Sequence, residues 1–194
     1  AVKLIVNTQN KQGGWRYMPI PQDADMSVTI CQTMALRAAR NAGIKVPKKT
    51  VDKAIEYVRK SHASDGGFSY AYGGGGSTFP CTAAAVASLY YTGVYSGKEL
   101  DDGIRYMLRQ KSAFTTAGGG GFGHFFYGNY YSAQAFFLAG GQHWKDWFTA
   151  LRDCLVKMQN KDGNWVDGVG PEFATAMALI ILQVPNRYLP ILEK

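Results

Sequence analysis

Four carboxylates stand beside the starts of helical patterns in this sequence: Asp23, Asp25, Asp167 and Glu172. A pair of them, Asp23 or Asp25 with Asp167 or Glu172, held about 5 to 9.5 Å apart across a groove could hydrolyse a glycosidic bond. Asp25 also has a plainer use. It directly precedes a helical pattern beginning near Met26, where its oxygens would accept backbone N–H groups and complement the helix dipole.

The second group able to do chemistry is aromatic. Trp15, Tyr17, Phe68, Tyr70, Tyr72, Phe122, His124, Phe125, Phe126, Tyr127, Tyr130 and Tyr131 all fall in or next to the segments that join helical patterns. Ring faces carry negative quadrupole density, so a pocket lined by them holds apolar chains and stabilises cations. In a plain scaffold the same rings wedge neighbouring elements together, and that is the reading for Trp15 and Trp165. His124 could serve as a base, a ligand or a satisfied polar group. With only His62 and His143 besides, no HxxH or HExxH spacing exists and no metal site is indicated.

Cys31, Cys81 and Cys154 lie far apart without CxxC spacing, so they read as buried, reduced thiols. The runs Gly73–Gly76 and Gly118–Gly121 are followed by no Gly-Lys-Ser/Thr, so they are not phosphate loops and read as flexible loops at a pocket mouth. No cofactor is implied.

The elements that must position these groups follow from periodicity. Met26–Ala42 is apolar over most of its circumference and ends at Gly43; Pro47 then opens a segment in which Val51, Ala54, Ile55 and Val58 form one stripe opposite Asp52, Lys53, Glu56 and Arg59. The couplet recurs: Ala83–Tyr91 is followed by an amphipathic stretch around Leu100–Leu108, and Tyr130–Ala139 by one around Trp144–Leu155. A last apolar helix is expected over Phe173–Leu182. Wholly apolar helices alternating with one-faced ones imply two layers, the first kind inside the second. A straight solenoid satisfies the same pattern.

Glycine-aromatic marks punctuate the couplets: Gly13-Gly14-Trp15, Gly66-Gly67-Phe68, Gly120-Gly121-Phe122 and Gly163-Asn164-Trp165, at intervals of 53, 54 and 43 residues. Such a period signals a repeat architecture. The chain has 194 residues, 46% apolar, with a net charge of +7. That charge suits anionic partners of every kind, but the basic residues are spaced as the wet sides of helices, so no nucleic-acid stripe is expected. No apolar run reaches the roughly 18 residues of a membrane span, and Ala1–Asn10 lacks signal-peptide architecture. The sequence therefore points to a soluble, cytoplasmic chain.

The Q-x3-G-x-W pattern in Gln9–Trp15 and Gln159–Trp165 resembles the QW motif of squalene and oxidosqualene cyclases. Together with Gly13–Pro19, Asp23–Thr29, Phe126–Tyr131 and Ala174–Ala178, it makes the chain similar to the prenyltransferase/squalene-oxidase repeat family. The resemblance implies an all-α fold, an α/α toroid like those of terpenoid cyclases and protein prenyltransferase β subunits. Those rings use about six hairpins against about four here. A single domain over residues 1–194 is expected, a fragment whose ring is incomplete, smaller, or completed by missing N-terminal repeats or a second copy.

The resemblance also implies what the site would hold. The positions matching the β-subunit zinc ligands are Gly128, Tyr130 and Ala174, which supply no strong ligand. The cyclase Asp-x-Asp-Asp acid matches Asp23-Ala24-Asp25-Met26, keeping Asp25 and Asp23 as candidate acids but placing Met26 at the third aspartate. An isoprenoid or other hydrophobic ligand would lie against Tyr17, Tyr70, Tyr72, His124, Phe126, Tyr127, Tyr130 and Tyr131. A protein-interaction toroid is the alternative reading.

Overall fold

Four helices begin where the sequence supplies a capping side chain or a proline, and the computed structural model describes residues 1–112 and 123–188. In chain order the elements are α1 (Val2–Thr8), α2 (Met26–Asn41), α3 (Lys48–Lys60), the strands β1 (Ser69–Ala71) and β2 (Gly74–Ser77), α4 (Phe79–Thr92), α5 (Lys98–Arg109), α6 (Phe125–Ala139), α7 (Gly141–Met158) and α8 (Pro171–Gln183). Asp25 caps α2 and Thr78 caps α4, each side chain accepting from the backbone N–H three residues on. Gly93 closes α4 at φ 93°, a left-handed position that costs a residue with a Cβ.

The fold is an all-helical one in two layers. α2, α4, α6 and α8 pack side by side in that order, while α3 and α5 lie against α4 and α7 against α6. Twelve of the fourteen residues of α4 are buried, and its run of alanines lets α2 and α6 approach from either side. The outer helices bury one face only. In α5 that face is Leu100, Gly103, Ile104, Tyr106 and Met107, and in α7 it is Trp147, Leu151, Cys154 and Leu155. Trp147 stacks on Phe136 of α6 at 4.3 Å between centroids and donates its indole N–H to Ser132 Oγ at 3.0 Å.

Two expectations are corrected. The flanking inner helices are apolar without being enclosed: α2 leaves Cys31, Ala35 and Ala38 exposed, and α8 leaves Ala176, Leu179 and Ile180 exposed. Each has one inner neighbour, α4 or α6, and a face with no neighbour meets solvent whatever its composition. The run Gly73–Gly76 is part of a β-hairpin, with β2 pairing antiparallel to β1 through Ser69 opposite Ser77 and Ala71 opposite Gly74. The run Gly118–Gly121 and Phe122 lie outside the described residues.

One turn joins outer to inner helices in three places. The backbone N–H of Asn10, Ala63 and Asn160 bonds to the carbonyl four residues ahead, of Gly14, Gly67 and Asn164, at 2.9–3.0 Å. The glycine before each of those carbonyls, Gly13, Gly66 or Gly163, has positive φ, between 82° and 102°. The aromatic that follows turns inward, and its own N–H is accepted by a threonine of the next inner helix. The pairs are Trp15 to Thr29 at 3.2 Å, Phe68 to Thr82 at 2.9 Å and Trp165 to Thr175 at 3.1 Å. The indoles of Trp15 and Trp165 also donate to Ile5 and Leu155 carbonyls in the preceding helices.

On the α5 surface, Asp102 accepts from Lys98 and Arg105 and faces His62 Nε2 at 3.3 Å. These donors hold its carboxyl below the ordinary value, from 3.8 to about 2. A depressed carboxylate contributes stability above its unfolded pKa and loses it as pH falls through the folded one. Thermal melts of wild type and Asp102→Asn should therefore differ above about pH 4 and converge toward about pH 2. Denaturant titration tests the turn. Thr82→Val orphans a buried N–H and should cost about 1–3 kcal/mol, with Thr175→Val, at a partly exposed site, costing less.

Candidate functional site

The first turns of three inner helices converge on one open cleft of about 1040 Å³. α2 contributes Ser27, Val28 and Cys31, α4 contributes Phe79, Pro80 and Cys81, and the start of α6 contributes His124 and Tyr127. Tyr17, from the segment before α2, and Tyr70, from β1, close the rim. Their hydroxyls meet at 3.1 Å, and the Tyr17 hydroxyl lies 3.4 Å from Ser27 Oγ. Burial, then the bond with Tyr17, raises the Tyr70 phenol to about 12. The Cys81 thiol and the Tyr127 phenol are both pushed up by burial.

Asp25 lies behind this rim and is fully buried. Its Oδ1 accepts from Ser27 Oγ at 2.6 Å and from the Val28 N–H at 2.9 Å, and its Oδ2 faces Arg16 Nε at 3.5 Å. A backbone bridge between Trp15 and Asp25 fixes the aspartate, the Asp25 N–H bonding to the Trp15 carbonyl at 3.0 Å. In this arrangement both carboxylate oxygens meet donors or positive charge. Asp23 is exposed and pairs with Arg16 Nη1 at 3.4 Å. The Arg16 guanidinium also sits over the rings of Tyr17 and Tyr70, at 5.7 and 5.9 Å from their centroids.

The structure brings together Tyr17, Tyr70, His124 and Tyr127 among the expected ligand-binding residues and separates the others. Phe126 is 1% exposed and packs in the core. Tyr72 lies outside the cleft lining, on the hairpin turn under Lys60 Nζ. Tyr130 lines a second, smaller cleft of about 280 Å³ with Gln134, Leu179, Ile180, Gln183, Val184 and Tyr188. Tyr131 stands between them, edge-on to Tyr127 at 5.0 Å and to Tyr130 at 4.8 Å, its hydroxyl 3.6 Å from Cys31 Sγ. These three rings make one wall running from the first cleft to the second.

A family model described as the prenyltransferase alpha-alpha toroid domain matches residues 1–128. The chain belongs to this family. A search of the curated proteins finds no match. The toroid match ends at Gly128, yet the turn at Gln159–Trp165 repeats the hydrogen bonds of Gln9–Trp15, Gln159 Nε2 donating to Gly163 O as Gln9 Nε2 does to Gly13 O, both at 2.8 Å. The repeat thus continues beyond the matched residues.

The positions that the sequence resemblance equates with zinc ligands offer no strong ligand. Gly128 has no ligating atom, and a Cβ there would stand 2.9 Å from the Phe79 ring; Ala174 is fully buried and apolar. Sequence reasoning missed Arg16, Ser27 and Cys31. The signal available for Arg16 was its place between two turn aromatics, Trp15 and Tyr17.

The cap geometry makes a direct prediction. Asp25→Ala should lower unfolding stability by about 1–2 kcal/mol, while Asp25→Asn, which keeps an acceptor for the Val28 N–H, should lose less. Equal losses in urea titrations would show that the Arg16 pair, not the cap, dominates.

Proposed function

We propose that this toroid domain binds an apolar, isoprenoid-type molecule in the aromatic cleft at the starts of its inner helices. The observation that carries the reading is the cleft itself, about 1040 Å³, walled by Tyr17, Tyr70, Phe79 and Tyr127. Such a volume takes a ligand of a few dozen atoms, and rings with a few hydroxyls at one end suit a long apolar body with a modest polar tip.

The same lining argues against acid-initiated chemistry on the ligand. Among the described residues, the cleft is lined by no carboxylate. Alkene protonation needs a strong acid that reaches the double bond. Asp25 remains the candidate acid, and its use as one would require it to leave Ser27, Val28 and Arg16. Its present contacts make it a support for the rim. Against a carbohydrate-active reading, neither Asp167 nor Glu172 lines the cleft, and Asp167 Oδ1 accepts the Val169 and Gly170 N–H groups in its own loop.

A protein-interaction toroid is the second reading, favoured by the uncovered apolar faces of α2 and α8. Thermal unfolding with farnesyl diphosphate, geranylgeranyl diphosphate and a solubilised squalene analogue separates the two. Binding predicts a rise of about 5–10 °C at a hundredfold excess over Kd for at least one of them. Cys31→Trp, which puts an indole into the cleft from an exposed position on α2, should reduce the rise without lowering the unliganded Tm by more than about 2 °C. No shift with any ligand, together with self-association by light scattering, would favour the interaction reading instead.

A further inference from the structure

Four oxygens run in a line from the buried cap of α2 to the rim of the cleft. Ser27 Oγ donates to Asp25 Oδ1 at 2.6 Å, the Tyr17 hydroxyl lies 3.4 Å from Ser27 Oγ, and the Tyr70 hydroxyl lies 3.1 Å from that of Tyr17. Each hydroxyl has one proton to give and lone pairs with which to accept. The direction in which those protons point is therefore decided at the carboxyl end.

Asp25 Oδ1 also accepts from the Val28 N–H, so it acts as an acceptor toward both its neighbours. The one proton of Ser27 is committed to it, which leaves Ser27 Oγ able to accept and unable to donate. Tyr17 then donates to Ser27. Were it to donate to Tyr70 instead, the Tyr17 and Ser27 oxygens would face each other at 3.4 Å with lone pairs alone. With the Tyr17 proton directed at Ser27, the 3.1 Å contact is made by the proton of Tyr70. The raised Tyr70 phenol agrees, since the bond to Tyr17 is the second cause of that rise after burial. The chain thus ends at the rim in an oxygen that can accept but has no proton left to give.

The surroundings decide what charge a partner of that oxygen can carry. Among the described residues, neither lysine nor arginine lines the cleft, so nothing in the lining matches a diphosphate or carboxylate head. Such a head would also bring lone pairs to lone pairs. An ammonium head can donate, but the Arg16 guanidinium sits over the Tyr17 and Tyr70 rings, 5.7 and 5.9 Å from their centroids, and repels it. A neutral donor is what remains.

We propose that the cleft selects an apolar alcohol, whose hydroxyl donates to the Tyr70 oxygen, over ligands whose heads only accept, such as an ether or a diphosphate. The proposal rests on the apolar-ligand reading above and deepens it. Tyr70 sets the head-group preference, and Asp25 and Ser27 are positioning residues that orient the chain from behind.

The experiment compares Kd values for farnesol, farnesyl methyl ether and farnesyl diphosphate, the first two delivered from cyclodextrin, at salt high enough to screen the net charge of +7. Wild type should bind the alcohol about three- to tenfold more tightly than the ether, as one neutral hydrogen bond allows, and the diphosphate more weakly than the alcohol. Tyr70 is 38% exposed, so Tyr70→Phe removes one oxygen without opening the core, and the alcohol should lose its advantage over the ether. In Ser27→Ala the Tyr17 proton is released to turn toward Tyr70, and the preference should shrink to within about twofold. A merely structural loss at Ser27 would weaken alcohol and ether alike and keep their ratio. Equal wild-type binding of alcohol and ether, a diphosphate that binds best, or a ratio unchanged in both variants overturns the proposal and leaves the apolar-ligand reading standing. Binding of none of the three overturns both.

Discussion

A backbone N–H that is buried must find an acceptor, and among the described residues that requirement ties α1 to α2, α3 to α4 and α7 to α8. The turn aromatic goes inward because its ring is apolar, and its amide goes with it. Thr29, Thr82 and Thr175 supply the acceptor from the second turn of the next inner helix. The indole N–H of Trp15 and Trp165 ties the same residue back to the preceding helix. One residue thus fixes the end of one helix against the start of another. The device sets the starts of α2, α4 and α8 beside the ends of the helices before them, and the cleft lies between the starts of α2, α4 and α6.

Convergent helix starts would ordinarily attract an anion, since each carries partial positive charge. At the starts of α2 and α4 that field is spent on the protein's own groups. Asp25 caps the start of α2 through the Val28 N–H, and Thr78 caps α4, whose second residue is a proline without an N–H. Arg16, the cation nearest the rim, is divided between Asp23 and Asp25. The remaining character of the cleft is set by rings and hydroxyls, the Tyr70 and Tyr127 phenols being pushed up by burial. Such a surface recognises shape and apolar area better than it recognises charge.

Much of the layering was legible because it rests on local pattern. The one-faced stripe of α3, through Ala54 and Val58, and the buried circumference of α4 are both visible in sequence spacing and both present in the fold. The exposed faces of α2 and α8 were not legible, since composition records what a helix could bury and not how many neighbours it has. The hairpin was hidden for a different reason. Its second strand is Gly74-Gly75-Gly76-Ser77, residues without strand propensity, held by pairing to Ser69–Ala71. At the site, Asp25 was legible as a cap from the residue type before Met26. The partition of the aromatics was not, because Phe126, Tyr127, Tyr130 and Tyr131 lie within six residues of one helix and only its rotation decides which of them face the core, the first cleft or the second.

The two flanks of the inner layer are exposed at different cost. On α2 the uncovered residues are Cys31, Ala35 and Ala38, small side chains whose transfer from water gains little. On α8 they include Leu179 and Ile180, each of which forgoes on the order of 1 kcal/mol of burial by remaining about half exposed. A helix face of alanines can end a row of helices or receive another backbone at close range, and in either state it is tolerable. A face of leucine and isoleucine, with Tyr130 and Tyr188 beside it, is better satisfied when covered. The row of inner helices is therefore asymmetric in its need for a neighbour, and the α8 side, which lies beyond the residues matched by the toroid family, is the side where that need is greater.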